Sequence, residues 1–125
     1  MEKTVNINGK PVKLKACAMN LLIYQSEFKE DIFKAKSEFI KATDGNRVDL
    51  TKVNSVALAK MVWTLAKTAD NTLPDFNTWL SELEELPVID LYTENYELFI
   101  SNMFEQSDII GSAPKNAEST EESDR

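Results

Sequence analysis

Apolar and polar positions alternate with a period of two at the start of the chain and follow a helical period through most of what comes after. Val5 and Ile7 alternate with Thr4 and Asn6, and Val12 and Leu14 resume the alternation beyond Asn8-Gly9, a pair that tolerates the positive φ of a tight turn. Thr4 to Leu14 therefore predicts a β-hairpin, with Pro11, which has no N–H, on an edge strand. A hairpin this short is marginal alone, so one face must rest on helices.

From about Ala16 the period lengthens. Cys17, Leu21, Tyr24 and Phe28 recur at helical spacing and predict the apolar stripe of a first helix. Asp31 is placed to cap a second, with Ile32, Ala35, Phe39 and Ile40 on one side and Lys34, Lys36 and Lys41 on the other; Asp44-Gly45-Asn46 ends it. A third begins after Asp49 or Thr51 and runs to about Ala69. Val56, Ala59, Trp63 and Ala66 form one of its rows and Leu58, Met61, Val62 and Leu65 another, leaving only Lys60, Thr64 and Lys67 as a polar strip. A helix apolar around most of its girth must be surrounded, so this one is the expected core element, anchored by Trp63.

Thr72-Leu-Pro-Asp75 has the form of a capping box with Pro74 in the first turn, opening a fourth helix with Phe76, Trp79, Leu80, Leu83 and Leu86 that Pro87 halts. A fifth covers Asp90 to about Phe104, with Leu91, Tyr92, Phe99 and Met103 apolar and Tyr96 and Leu98 on a second facet. Beyond Gln106 the only apolar pair is Ile109-Ile110, and Gly111 to Arg125 has too little to bury to offset its ordering entropy. The expectation is a mainly α fold: about five helices packed in one domain, residues 1–106, with a short N-terminal β-hairpin, followed by a disordered acidic tail, residues 107–125.

Charge divides the chain of 125 residues into halves of opposite sign. Up to Lys67 there are 12 basic and 7 acidic residues, net +5; from Thr68 onward there are 2 basic and 14 acidic, net −12, which together give the chain's −7. Such asymmetry governs how molecules meet rather than how they fold. It favours head-to-tail self-association or service to two partners, unless the charges merely solvate helix faces. A nucleic-acid reading of the basic half rests on Lys34, Lys36 and Lys41, which are sparse and lack an arginine among them.

Histidine is absent, which removes Ser-His-Asp and Cys-His nucleophiles and His-bearing zinc sites. Cys17, the single cysteine, has only Lys15 as a potential activating neighbour, and a small core residue is its expected role. The three glycines are scattered and form no phosphate loop. Among the acids, adjacent pairs such as Glu84 and Glu85 point to different helix faces. No catalytic, cofactor-binding or metal residue is singled out, and the expectation is a protein that is not an enzyme and uses no cofactor. No run is apolar enough to span a membrane, and no secretory signal follows Met1, so a cytoplasmic location is expected.

The order of these pieces resembles the tail assembly chaperones of long-tailed phages and prophages of Gram-positive bacteria. The resemblance spans roughly residues 3 to 105. It rests on the Ile-Asn-Gly-Lys turn (Ile7 to Lys10), on Tyr24 followed by Phe28, Asp31 and Ile32, on Trp63, Ala66 and Lys67, and on Pro74-Asp-Phe-x-x-Trp-Leu80. In one place the chain departs: the family tends to have Gly after the second aromatic, where this chain has Lys29. Gly ends a helix in the left-handed conformation without steric cost, so Lys29 predicts a continuous or kinked junction between the first two helices.

The resemblance implies a small, mainly helical, self-associating protein that coats the tape-measure protein until tail-tube subunits polymerise around it. It implies residence in the host cytoplasm and not in the mature virion. It also implies a longer form made by a ribosomal frameshift, for which Pro114-Lys115-Asn116 can encode a slippery string. Its partners would be the tape-measure protein, the tail tube protein, its own extended form and further copies of itself, with no nucleic acid and no membrane. The alternative is a generic small helical adaptor or regulatory protein of a bacterial operon.

Overall fold

Glu2–Ile7 (β1) and Lys10–Lys15 (β2) pair antiparallel, with Ile7 opposite Lys10 and Glu2 opposite Lys15. The two turn residues have φ of 53° at Asn8 and 80° at Gly9, the mirror-image turn that matches strand twist. Ile7 and Leu14 are buried, Val5 and Val12 half-buried, and the alternate positions face solvent. Asn8 also fastens the turn to the far half of the chain. Its Nδ2 donates to the Glu85 carbonyl at 2.8 Å, and its Oδ1 accepts from Glu84 N–H at 2.8 Å. The structure described here, a computed structural model, comprises residues 1–45 and 47–101. Met103, Phe104, Ile109-Ile110, Pro114 to Asn116, the boundary at residue 106 and the tail lie outside the described residues.

The first helix is Met19–Phe28 (α1), so Cys17 precedes it instead of lying on its stripe. Its buried side chains are Asn20 and Tyr24, whereas Leu21, expected in the core, is exposed. Asn20 decides the rotation. Its Oδ1 accepts from Cys17 N–H at 3.0 Å, while its Nδ2 donates to the Lys15 carbonyl at 3.0 Å and to Thr68 Oγ1 at 2.7 Å. A buried amide with every group paired is as good a core residue as a leucine, and it turns Leu21 outward.

Contrary to the expected continuous or kinked junction, α1 ends sharply. Lys29 itself takes the left-handed conformation (φ 57°), its N–H donates to the Gln25 carbonyl, and its Nζ donates to the Ser26 carbonyl at 2.7 Å. The second helix, Ile32–Lys41 (α2), is capped by Asp31, which accepts from Phe33 N–H at 2.9 Å. Thr43–Asp44 (β3) and Arg47–Val48 (β4) then form a minimal second hairpin.

Ser55–Ala69 (α3) starts later than expected because Asn54, whose side chain accepts from Ala57 N–H, is the cap. The Asp49 carboxylate instead closes a turn on Thr51. Leu58, Met61, Val62 and Leu65 are fully buried, and α3 packs on β2, α1 and the helices that follow. Val56, expected in the buried row, is 56% exposed in the first turn, and Thr64 of the expected polar strip is buried, bonding the Lys60 carbonyl at 2.8 Å. Trp63 anchors the core as expected, its Nε1 donating to the Pro74 carbonyl at 2.9 Å. Phe28 lies 5.5 Å from Trp63 and 5.1 Å from Phe76, ring centre to ring centre.

The fourth helix is shorter than predicted, Phe76–Ser81 (α4), and its cap is Asp75, not Thr72. Thr72 is held by Asp70 in a turn of its own, and Asp75 accepts from Thr78 N–H and Oγ1. Leu83 and Leu86 therefore pack on the core from a loop, and Pro87 stands at the start of the next helix rather than at the end of this one. The predicted fifth helix is two, Val88–Glu94 (α5) and Tyr96–Ile100 (α6), making six helices among the described residues. The break is at Asn95, whose buried amide donates back to the Leu91 carbonyl at 2.8 Å and so competes with helix continuation. Phe39, Tyr92 and Phe99 make a second aromatic cluster, and the Tyr92 hydroxyl donates to the Phe39 carbonyl at 3.0 Å.

Lys36 corrects the expectation of a basic outer face on α2. It is 1% exposed, and its ammonium donates to the Ser101 carbonyl just past α6. Among the described residues no carboxylate lies within ion-pair distance of it. Burial pulls its pKa from 10.5 down to about 8, while burial pushes Tyr24 and Tyr92 from 10.0 up to about 12. Between pH 8 and 10.5 the unfolded chain still binds the lysine proton and the folded one sheds it, so stability rises with pH in that window. Above pH 10 the unfolded tyrosines lose protons that the folded ones keep, and stability falls. Denaturant unfolding is thus expected to show greatest stability near pH 10, after a rise of roughly 2 kcal/mol from neutral pH. Lys36→Met should abolish the rise and leave the fall; a wild-type profile that declines steadily above pH 8 would contradict this account of Lys36.

Candidate interaction surface

Among the described residues no group of three or more His, Cys, Asp or Glu side chains is placed to hold a metal ion. Cys17 is half-buried. Glu84 and Glu85 are exposed and serve the fold through their backbone N–H and C=O groups on Asn8. The three lysines considered for nucleic acid do not share a face, since Lys34 and Lys41 are exposed and Lys36 is interior. A groove of about 380 Å³ between α2 and the start of α3 carries Lys34 and Lys60 against Glu30, Asp31 and Glu38, a mixture that selects neither anions nor cations.

The outward face of α1 is different. Its exposed residues are Met19, Leu21, Leu22, Gln25 and Ser26, and none is charged. Met19 is 50%, Leu21 48% and Leu22 54% exposed. On a helix, positions 19, 22 and 26 form one row and 21 and 25 the neighbouring one, so these side chains are contiguous. A single exposed leucine needs no explanation, whereas a contiguous uncharged apolar patch is a candidate contact surface. The inner face of the same helix is already committed: Tyr24 meets Phe28 edge to face at 4.9 Å between ring centres, and Glu27 accepts from Phe76 N–H at 2.9 Å.

The sequence pattern does not mark these residues as a surface: the helical stripe places Leu21 in the core and gives Met19 and Leu22 no role. One signal was present. Ala16 to Ser26 is the longest stretch of the chain without a charged side chain, longer than one buried face of a ten-residue helix requires.

Charge is arranged so that the two halves do not neutralise each other. The described ion pairs are Glu2 with Lys13 and Asp49 with Lys52, each at 3.8 Å, and Glu30 with Lys60 at 3.2 Å, all within the basic half. Between Thr68 and Ser101 there are acidic side chains, from Asp70 to Glu97, and no basic ones; all these acids are exposed, and none is ion-paired among the described residues. Asp70 and Asp75 are held below the usual carboxylate range, mainly by the side-chain hydroxyls of Thr72 and Thr78. None of the described helices is long and apolar enough to cross a membrane.

Compared with known protein families, characterised proteins and solved structures, the chain matches none.

If the α1 face serves contact and not folding, Leu21→Gln and Leu22→Gln should each shift the unfolding free energy by no more than about 0.5 kcal/mol. Leu58→Ala in the core should cost about 2–5 kcal/mol. Urea melts of the three variants decide this, and a loss at Leu21 or Leu22 as large as at Leu58 would show that the face is packed in solution.

Proposed function

We propose that the chain is a phage tail assembly chaperone, which binds and shields an apolar, helical client, the tape-measure protein, while the tail tube forms around it. The observation that carries this reading is the uncharged outward face of α1, with Met19, Leu21 and Leu22 half exposed on an otherwise highly charged surface. Burying three such side chains against a client helix contributes a few kcal/mol at about 25 cal/mol per Å², which the cost of association largely offsets, so each such contact is readily released and holding a client takes several of them. The oppositely charged halves supply long-range attraction, which speeds encounter more than it tightens the complex. A holding protein needs this combination, since its client must eventually leave. The order of sequence signatures from the Ile7–Lys10 turn to Pro74–Leu80 supports the same assignment, and a cytoplasmic location belongs to it.

Co-expression with the long helical reading frame expected next to this gene tests the proposal. The wild-type chain should keep that client in the soluble fraction and co-purify with it. A double variant, Leu21→Glu with Leu22→Glu, should fold with an unchanged circular-dichroism spectrum and lose the client at least tenfold. A client equally soluble with and without the wild-type chain would overturn the assignment, and one retained by the double variant would move the contact away from α1.

A further inference from the structure

Along the outer edge of β1 the backbone is left without partners in a regular pattern. In the two-residue hairpin Ile7 and Lys10 exchange both ladder bonds, so the bonded pairs continue as Val5 with Val12 and Lys3 with Leu14. Met1 and Ala16 extend the series, exchanging bonds of 2.8 and 3.2 Å. Glu2, Thr4 and Asn6 must therefore turn their N–H and C=O groups outward, where no described residue hydrogen-bonds them; the Glu2 end lines a groove with Thr93 to Leu98. The opposite edge is interrupted at both ends, which leaves Lys13 the one residue there with both groups outward. Pro11 has no N–H at the position where one would point outward, and the outward carbonyl of Lys15 is taken by Asn20 Nδ2 at 3.0 Å.

We propose that a second copy of this chain docks on this open edge, β1 against β1, antiparallel about a two-fold axis through Thr4, joining two hairpins into a four-stranded sheet. The register follows from charge and from which groups point outward. Centring on Thr4 opposes Thr4 to itself, Glu2 to Asn6 and Lys3 to Val5, and it pairs every outward N–H with an outward C=O. Centring on Glu2 sets carboxylate against carboxylate, and centring on Lys3 sets ammonium against ammonium, both unfavourable directly across a sheet. Centring on Val5 leaves Glu2 unpaired beyond the turn. An isologous contact of this kind closes on itself and forms no filament.

A six-residue strand covers far less than the roughly 800 Å² per partner of a stable interface, so the dimer is weak and populated at chain concentrations on the order of 100 µM. Each copy carries a net charge of −7, so added salt should hold or strengthen a backbone-mediated dimer, whereas head-to-tail pairing of the charged halves would weaken. The inference is independent of the client proposed above, which concerns a different face.

Sedimentation velocity of the full chain tests it, with melting temperature as the control for folding. Thr4 is exposed, its side chain lies on the solvent face of the hairpin, and its N–H is not used within it, so substitutions there spare the core. The wild-type chain is expected to shift from monomer to dimer as its concentration approaches 100 µM. Thr4→Lys and Thr4→Glu should each weaken association at least tenfold, because the axis sets like charges together, and an equimolar mixture of the two should restore it. Thr4→Pro, which blanks this edge as Pro11 blanks the other, should remain monomeric. A wild-type chain that stays monomeric at that concentration, single charged variants that dimerise like wild type, a mixture that fails to associate, or a wild-type dimer dissolved by salt would each overturn the proposal.

Discussion

One constraint organises this domain: α3 is apolar on nearly every side and has to be enclosed. Nine of its fifteen residues are buried, and one helix so wrapped needs several covers, each offering only an inner face. The hairpin supplies Ile7 and Leu14, α1 supplies Tyr24 and Phe28, α4 supplies Phe76 and Trp79, and α5 supplies Leu91. Trp63 shows how tightly the covers are tied to the centre, because its indole N–H fixes the carbonyl of Pro74 one residue before the cap of α4. The covers are tied to one another by polar side chains acting on backbone: Asn8 on Glu84 and Glu85, Glu27 on Phe76, Lys36 on Ser101. Such bonds contribute modestly when made and cost more when one partner is removed, so they specify the arrangement more than they stabilise it.

Enclosing α3 determines what remains outside. A cover helix spends one face on the core, and what its other face carries is free to serve contact. On α2 and α5 the outer positions are largely charged or polar, as solvation requires. On α1 they are Met19, Leu21 and Leu22, and along β1 the unspent groups are backbone. The two surfaces suit different tasks: a non-directional apolar patch accepts many helical segments, whereas an open strand edge demands a partner in one register. Charge left without an ion-pair partner among the described residues adds reach to either without adding specificity.

The helical class, the N-terminal hairpin with its Asn8-Gly9 turn, the Asp31 cap and the buried centre at Trp63 were legible in the sequence, because each depends on local chemistry or on a long, strongly periodic segment. What was not legible depended on competition between local rules. Lys36 lies four residues from Ile32 and so on the apolar row of α2, but its charge argued for the outside; reach to the Ser101 carbonyl, sixty-five residues away in sequence, settled the conflict. Asn20 displaced Leu21 from the core because its partners at Lys15 and Thr68 come from other elements. Thr72 and Asp75 each had a plausible capping role, and the pairing of Thr72 with Asp70 removed the first. Lys29 ended α1 as a glycine would, paying a small backbone strain that its own ammonium offsets on the Ser26 carbonyl. The candidate surface is hard to read from the sequence for a related reason: periodicity identifies what is inside, while the uncharged run of residues 16–26 speaks to what is outside.

Native-state hydrogen exchange tests most directly the claim that all of this depends on enclosing α3. The amides from Leu58 to Ala66 should exchange only through global unfolding, with one common free energy equal to that from denaturant melts, while β3, β4 and the short helices α4 and α6 open at lower cost. Amides of α3 that exchange before those of the hairpin or α2 would mean that the domain does not hang on this helix, and would contradict the account.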